Sequence, residues 1–240
     1  NQMKKQISQL MLKKYVNHTP VLPEFNPDAT SDWIQSYSNL PWLKLLIELP
    51  TTEILKEIQQ VKHMLTSHRD QYAEHSGWES FCIHGKSYNA TREDSHYNDN
   101  KVHHWTDEAI TYMPLTVDYF KNKWPGIDYR RLRVMRLKPG GYISIHQDGT
   151  KKYLSAINIA ITQPSDCVFV MEKHGVIPFV PGSAFWLDLS NRHTIFNNSN
   201  QDRWHLIVHQ NTELPQFKDL VVNSYNMLYK HPASIGGSNS

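Results

Sequence analysis

The chain has 240 residues, of which 39% are hydrophobic and 20% are charged, and its aromatic residues include 7 Trp, 12 Tyr and 8 Phe. This composition is sufficient for a folded core and excludes a wholly disordered protein. The 25 basic and 23 acidic residues give a formal net charge of +2, without a long block of one sign. We therefore predict no nucleic-acid partner and no binding to a charged membrane surface.

Cys82 and Cys167 are the two cysteines, which is too few for a disulfide-built secreted domain. No apolar stretch approaches the ~18 residues of a membrane-spanning helix, and no signal-peptide pattern is visible. We expect free thiols, a cytoplasmic location and no membrane association. The sequence gives no indication of the oligomeric state.

The first part of the chain has the spacing of helices. Apolar residues recur at helical intervals in residues 3–16 and 51–68. The first of these helices either packs on the core or mediates self-association. Residues 17–32 are rich in proline and predict an extended connection, while residues 42–47 fit either a helix or a strand. We expect residues 1–76 to form a helical extension packed on the core.

The periodicity then changes to that of strands. Residues 78–85 predict a strand, and residues 109–123 predict a helix interrupted at Pro114. The polar stretch 86–101 is either a substrate lid or a surface loop. Eight further strands are separated by turn-forming residues: 129–137, 142–146, 153–161, 167–171, 176–180, 183–187, 193–196 and 203–209.

These short strands, without helices between them, predict an antiparallel double sheet or jelly roll rather than a parallel sheet. We expect the core to occupy residues 77–212. Residues 213–240 then hold a C-terminal helix near 220–229 and a flexible tail.

A possible metal site lies at the end of the second of these eight strands. Side chains two apart on a strand project to the same side, so His146 and Asp148 share a face, together with Tyr142. A second histidine, His193, stands on a later strand. Two imidazoles and one carboxylate occupy one face of an octahedral metal and leave up to three positions open, as in non-haem Fe(II) oxygenases.

Arg203 stands in the apolar strand that follows His193. A guanidinium in such a strand requires an anionic partner or a wet cavity, because an unpaired buried charge is costly. A dicarboxylate co-substrate would supply that anion and be held by two parallel hydrogen bonds. The alternative partner is a protein carboxylate such as Asp188 or Asp202.

Together these segments resemble the aspartyl/asparaginyl β-hydroxylase family of 2-oxoglutarate-dependent oxygenases. The resemblance rests on residues 136–148 (RLKPGGYISIHQD), Gly182, residues 193–199 (HTIFNNS) and Arg203. Its most specific part is the spacing between the distal histidine and the arginine. The family also includes relatives that act on free amino acids such as proline.

The resemblance implies a mainly β protein with a double-stranded β-helix (cupin-like) core and added helices. It implies Fe(II) bound by His146, Asp148 and His193, and 2-oxoglutarate whose distal carboxylate meets Arg203. Dioxygen would then be used to hydroxylate a C–H bond, with succinate and CO2 as co-products. The implied substrate is a free amino acid, or an Asp-like or Asn-like side chain in a peptide.

Two departures from the family pattern concern the ligands. Some members have glycine in place of the carboxylate ligand, so Asp148 places this chain with the branch that retains it. Members commonly carry an R-x-H pattern on the strand after the first ligands, where this chain has Ser155-Ala156-Ile157-Asn158. Asn158 would therefore replace the histidine at the co-substrate.

The substrate contacts predicted from the sequence are Arg133 and Tyr142. Arg131 shares the face of Arg133, whereas Arg136 falls on the other face. His205 and His209 share the strand face of Arg203 and either support the site or are hydrogen-bonded core histidines. Trp105 and Tyr97 are candidates for an aromatic wall.

A second function class is also compatible with the sequence. It is a cupin-like metal-dependent isomerase or hydrolase, or a binding module that uses the cavity without redox chemistry.

Overall fold

The computed structural model describes residues 2–68, 75–91 and 102–236. Its α-helices are α1 Gln2–Tyr15, α2 Ser31–Tyr37, α3 Thr51–Val61, α4 Asp107–Tyr112, α5 Pro114–Asn122 and α6 Pro215–Lys230. Short 3-10 helices lie at Lys62–Met64 and Pro232–Ser234. Within these described ranges, no helix is long and apolar enough to cross a membrane.

The strands run antiparallel to their neighbours. They are β1 Trp42–Glu48, β2 Thr66–Ser67, β3 His75–Gly85, β4 His104–Trp105, β5 Arg131–His146, β6 Ala156–Ala160, β7 Cys167–Met171, β8 Gly175–Val176, β9 Ser183–Leu187, β10 His193–Asn197 and β11 Arg203–His209.

The core is a double-stranded β-helix, as predicted. One layer has the order β9, β6, β11 and the first half of β5, and the other has the second half of β5, β10, β7 and β8. β5 belongs to both layers because it bends: Arg131 to Leu137 lie opposite β11, and Tyr142 to His146 lie opposite β10. Two strands extend the edges, β1 beside β9 and β3 beside β5.

The bend of β5 depends on two glycines. Gly140 has a φ of +74°, a conformation that glycine adopts without the strain of a side chain. At Gly141 a Cβ atom would lie 2.8 Å from the carbonyl oxygens of Lys138 and Ser76. A larger residue there would force the backbone apart and disturb the pairing with β3.

The bend also fixes which strand ends meet. The turn from β10 to β11 is tied to the bend by Asn197, whose Nδ2 lies 2.9 Å from the Leu137 oxygen and 2.8 Å from the Gln201 oxygen. We call this the closed end of the β-helix. The start and finish of β5 at Arg131 and His146, the start of β10 and the finish of β11 therefore lie at the opposite end, which we call the open end.

Helices cover the outer surfaces of the two layers. α1 packs on β5 and β7, where Met11 contacts Ile145 and Val170, and the Ile145 N–H donates to the Ser8 hydroxyl over 2.8 Å. α6 packs on β1 and on α2. Of the two roles open to the first helix, the contacts of α1 show packing on the core.

Several predicted elements differ from those observed. The predicted strands 129–137 and 142–146 are one bent strand, and the predicted strand 176–180 is reduced to β8. The predicted helix 51–68 ends at Val61, because Thr66 and Ser67 pair with β3. Residues 42–47 form a strand because β9 offers them a pairing edge, and α2 was not predicted.

The predicted division at residues 76 and 212 stays a prediction. β1, which lies in the first predicted segment, pairs with β9 of the core. Both cysteines are buried, and neither forms a disulfide within the described residues.

We expect Asn197→Ala to destabilise the protein by about 3 kcal/mol, because a net loss of about 1 kcal/mol accompanies each buried hydrogen bond removed. The side chain is fully buried and also accepts hydrogen bonds from Ser199. Urea denaturation measures the effect. Asn198→Ala, at the exposed neighbouring position, is the matched control and should change the stability by less than about 0.5 kcal/mol. Equal stability of the two variants would contradict the role given to Asn197.

Candidate metal centre

Two histidines face each other at the open end. His146 closes β5 and lies directly opposite His193, which begins β10. Each Nδ1 lies close to a backbone carbonyl two residues earlier, 2.7 Å from the Ser144 oxygen and 2.8 Å from the Asn191 oxygen. We assign the ring protons to these Nδ1 atoms, which leaves both Nε2 lone pairs free to bind a metal.

Asp148 completes the group from the loop after β5. Its backbone N–H donates to the Leu189 oxygen over 2.8 Å, which holds the loop against the end of β9. Its carboxylate oxygens lie 3.7 Å from Nε2 of His146 and 3.9 Å from Nε2 of His193. An ion with ligand bonds of about 2.1 Å spans such separations. In the part of the chain that the structure describes, these three form the candidate metal-binding group.

The charge states suit a divalent ion. His193 is buried, and this burial lowers its pKa to about 4, with the neighbouring His146 acting in the same direction. The imidazole is therefore neutral at pH 7, which is the form that binds metals. Asp148 is exposed, so one side of the group is open to solvent.

Arg203 lies at the closed end, where it faces Phe169 of the other layer. Its guanidinium carbon is 6.0 Å from the centre of the Phe169 ring, and that ring lies 5.5 Å from the ring of His193. The residue is 3% exposed, and its Nε and Nη2 atoms have no hydrogen-bond partner among the described residues. Burial lowers its pKa to about 10, so it remains a cation at pH 7.

The protein carboxylates proposed as alternative partners of Arg203 are engaged elsewhere. Asp202 pairs with Arg136 over 2.9 Å, and Asp188 accepts hydrogen bonds from the backbone and side chain of Ser190. A buried cation with unsatisfied donors is costly unless an anion joins it. One aromatic ring, Phe169, separates this unsatisfied cation from His193 of the metal-binding group.

A buried hydrogen-bond chain lies beside Arg203. His205 is 0% exposed and stands between Gln163 Oε1, 2.8 Å from its Nε2, and Asn158 Oδ1, 3.0 Å from its Nδ1. Burial lowers the pKa of His205 well below its usual value, so the ring is neutral and has one N–H.

The orientation of the two amides follows from that single proton. Gln163 Nε2 donates to the Cys167 oxygen, so Gln163 presents its oxygen to His205, which donates from Nε2. Nδ1 of His205 must then accept, and we assign the Asn158 amide with its nitrogen toward the ring. One N–H of Asn158 is used there, and the second is available to another acceptor.

Comparison with known proteins identifies a family for this chain. The family model described as Aspartyl/Asparaginyl beta-hydroxylase matches residues 48–212. The chain belongs to this aspartyl/asparaginyl β-hydroxylase family. A search of the curated proteins found no match.

Solved structures similar to this member of the hydroxylase family include oxygenases and a cupin. A prolyl-4-hydroxylase from Pseudomonas putida is 13% identical over 76% of this chain and 97% of its own, with a TM-score of 0.42. A prolyl hydroxylase from Trichoplax adhaerens is 11% identical over 94% of each chain, with a TM-score of 0.44. A cupin-superfamily sugar phosphate isomerase from Silicibacter pomeroyi is 25% identical over 34% of this chain and 50% of its own, with a TM-score of 0.26.

The two predicted substrate contacts of this hydroxylase-family chain lie in different places. Arg133 is buried on the inner face of β5, opposite Ile207. Tyr142 instead stacks on Phe196 at 5.8 Å, with Lys5 of α1 over its ring, on the outer face. The shared face predicted for Tyr142 and His146 is wrong, because the register of β5 and β10 shifts between the pairs at Ile195 and His193.

The remaining candidates lie away from the metal-binding group or outside the described residues. Trp105 helps to line a separate cavity of about 320 Å³ with His84, Phe120 and Tyr129. Tyr97 and most of the predicted lid, residues 92–101, lie outside the described part of the chain. Residues 86–91 close against β3, where Tyr88 and Ala90 accept hydrogen bonds from Cys82.

Two residues of the site, Gln163 and Phe169, were not predicted from the sequence. Gln163 falls in a turn that Pro164 is sufficient to predict. The sequence therefore gave no reason to assign Gln163 a further role. Phe169 alternates with outward-facing Val170 on β7, so period-two alternation could have placed it in the interior. Nothing in the sequence could have shown that its ring links Arg203 and His193.

We expect His205→Phe to destabilise the protein by about 2 kcal/mol or more, because the buried amides of Asn158 and Gln163 lose their shared partner. Urea denaturation at pH 7 measures the change. His63→Phe, at an exposed position, is the control and should stay within about 0.5 kcal/mol of the parent protein. A His205→Phe variant as stable as this control would contradict the hydrogen-bond chain.

Proposed function

We propose that the protein is an Fe(II)- and 2-oxoglutarate-dependent dioxygenase that hydroxylates a free amino acid or an Asp-like or Asn-like side chain. One observation carries the proposal: a buried guanidinium, with donors unsatisfied among the described residues, is separated from a three-ligand metal-binding group by one aromatic ring, Phe169. A metal-dependent hydrolase or isomerase that acts on a neutral substrate has no need of this second, deeply buried cation. A co-substrate with a distal carboxylate does need it.

The ligand set suits Fe(II). His146, Asp148 and His193 would hold the ion on one face and leave up to three positions for other ligands. Two neutral imidazoles and one carboxylate leave a net charge of +1 on the loaded site, which favours an anionic chelator. When bound, iron and 2-oxoglutarate supply with dioxygen the chemistry that yields succinate, CO2 and a hydroxylated C–H bond.

Residues along the inner face would bind and orient the co-substrate. Arg203 would hold its distal carboxylate by charge-assisted hydrogen bonds. The second N–H of Asn158, turned by His205, would donate to the same co-substrate and so replace the histidine of the R-x-H pattern. Gln163 would act only through His205, as a positioning residue.

The cavity wall between the two charged ends is apolar. Phe169 lies beside both Arg203 and His193, and Phe179 packs on His205 with ring centres 4.8 Å apart. These rings exclude water from the space between the metal-binding group and Arg203. A dry cavity strengthens the electrostatic contacts of the co-substrate and limits side reactions of the oxidant.

We expect Arg203→Met to raise the Kd of 2-oxoglutarate by roughly 10- to 100-fold, because hydrogen bonds to a charged group contribute about 1.5–3 kcal/mol. Mn(II) binding should change by less than about twofold, since the arginine does not belong to the metal-binding group. Isothermal titration calorimetry measures both constants. Arg136→Met, on the outer face of β5, is the matched control. Unchanged 2-oxoglutarate affinity in Arg203→Met would contradict the proposal.

We expect His193→Ala to abolish oxygen-dependent succinate formation with Fe(II). Removing one of three protein ligands should also weaken Mn(II) binding by at least roughly tenfold. His174→Ala removes a histidine outside the metal-binding group and serves as the control. Succinate formation at the parent rate in His193→Ala would show that the ligand assignment is wrong.

A further inference from the structure

The cavity beside Trp105 lies on the outer face of the sheet. His84 of β3 pairs with Leu132 of β5, and Leu132 alternates with the inward-facing Arg133, so His84 projects outward. α5 covers this region, and its Phe120 oxygen accepts a hydrogen bond from the Tyr129 hydroxyl over 2.7 Å. The cavity has a volume of about 320 Å³. It is therefore large enough for a small ligand, and the sheet separates it from the metal-binding group.

Three aromatic side chains form the walls of this outer cavity, namely Trp105, Phe120 and Tyr129. The Trp105 and Tyr129 rings lie 5.4 Å apart at 66°, and the Tyr129 and Phe120 rings lie 6.2 Å apart at 84°. The ammonium group of Lys121 lies 5.5 Å from the centre of the Trp105 ring. Because the faces of aromatic rings attract cations, these walls favour an apolar or a positively charged group over an anion.

His84 supplies a hydrogen-bond acceptor inside the outer cavity. The residue is 8% exposed, and its Nδ1 has no hydrogen-bond partner in the part of the chain that the structure describes. Burial lowers its pKa to about 4, while a hydrogen bond to the Arg130 backbone acts in the opposite direction. The ring is therefore neutral at pH 7, and we assign its one proton to Nε2, which donates to that backbone. Nδ1 is left with a buried lone pair that requires a donor.

The rim of the outer cavity carries one charge of each sign. Asp128 and Lys121 both line it, and both side chains are exposed. Oδ2 of Asp128 accepts a long hydrogen bond of 3.4 Å from Nδ2 of Asn211. A carboxylate has about four lone-pair positions, so this contact leaves Asp128 able to accept further hydrogen bonds. The rim can thus bind a cation at Asp128 and a carboxylate at Lys121.

We propose that the outer cavity binds a small compound with a primary ammonium group. The ammonium has three N–H donors and would donate to Nδ1 of His84, with Asp128 as its counter-charge and the aromatic rings around it. Its source is either a simple amine or a free amino acid, whose carboxylate would meet Lys121. This inference does not depend on the proposed function, because it involves neither iron nor 2-oxoglutarate.

Calorimetric titration of the full chain at pH 7 tests the ligand class. The probes share one skeleton: phenethylamine, phenethyl alcohol, hydrocinnamate and L-phenylalanine. We expect the amine to bind at least roughly tenfold more tightly than the alcohol, because a charged donor forms the stronger hydrogen bond, and the anion to bind most weakly. Tighter binding of L-phenylalanine than of the amine, lost in Lys121→Met, identifies an amino acid as the source. Equal or weaker binding of L-phenylalanine identifies a simple amine.

Two variants test the residues that would hold the ammonium group. His84→Phe keeps an aromatic ring but removes the acceptor, so the Kd of phenethylamine should rise by roughly tenfold or more. Asp128→Asn removes only the counter-charge, and asparagine tolerates the φ of +51° at this position. It should raise the Kd by roughly two- to fivefold, as expected for an exposed ion pair. His63→Phe, at an exposed position, is the control and should leave the Kd unchanged within about twofold.

His193→Ala tests the location, because it removes a metal-binding residue from the inner face. The Kd of phenethylamine should stay within about twofold of the parent value in this variant. Loss of binding in His193→Ala would overturn the inference, as would equal binding of the amine and the alcohol or binding of none of the probes. A parent-like Kd in both folded variants, His84→Phe and Asp128→Asn, would also overturn it. None of these outcomes bears on the proposed function.

Discussion

The bend in β5 is the constraint on which the rest of the structure depends. One strand serves both layers, so its first and last residues return to the same end of the β-helix. Gly140 and Gly141 permit the reversal, and Asn197 ties it to the neighbouring turn. The metal-binding histidine at the end of β5 and the arginines at its start are brought together by this single feature.

A second consequence of the bend is the separation of charges within one cavity. Arg203 stands at the closed end because β11 begins beside the bend, and β11 then runs toward the open end. Phe169 and Phe179 fill the wall between the charged groups with apolar surface. Each cation therefore lies in a poorly screened environment, where an anion is bound more strongly than at the protein surface.

The hydrogen bonds of three histidines give the site its orientation. His146 and His193 each direct Nδ1 toward a backbone carbonyl and Nε2 toward the cavity. His205 likewise fixes the orientation of the Asn158 amide, because a neutral ring with one proton can donate to one amide only. The departure from the family's R-x-H pattern is thus accompanied by an imidazole on the adjacent strand.

Much of this architecture could be predicted from sequence, but not the parts that depend on tertiary contact. Period-two alternation and turn residues located the strands, and residue types with family spacing indicated His146, Asp148, His193 and Arg203. Alternation failed at Tyr142, where a register shift between β5 and β10 changes the exposed face. Such shifts are set by the partner strand, which no local pattern reports.

The unsatisfied donors of Arg203 and the contacts of His205 could likewise not be predicted from the sequence. Both depend on which side chains the folded layers bring together. Asp202, for example, is excluded as the partner of Arg203 only because the structure shows it paired with Arg136. β1 illustrates the same limit, because its apolar residues fit a helix equally well until β9 supplies an edge.

Anaerobic absorption spectroscopy shows whether iron and 2-oxoglutarate bind together at this site. The protein is mixed with Fe(II), and 2-oxoglutarate is then added without oxygen. We expect a weak metal-to-ligand charge-transfer band, since 2-oxoglutarate would chelate the iron while Arg203 holds its distal carboxylate. A protein that binds Fe(II) but develops no such band at saturating 2-oxoglutarate would contradict it.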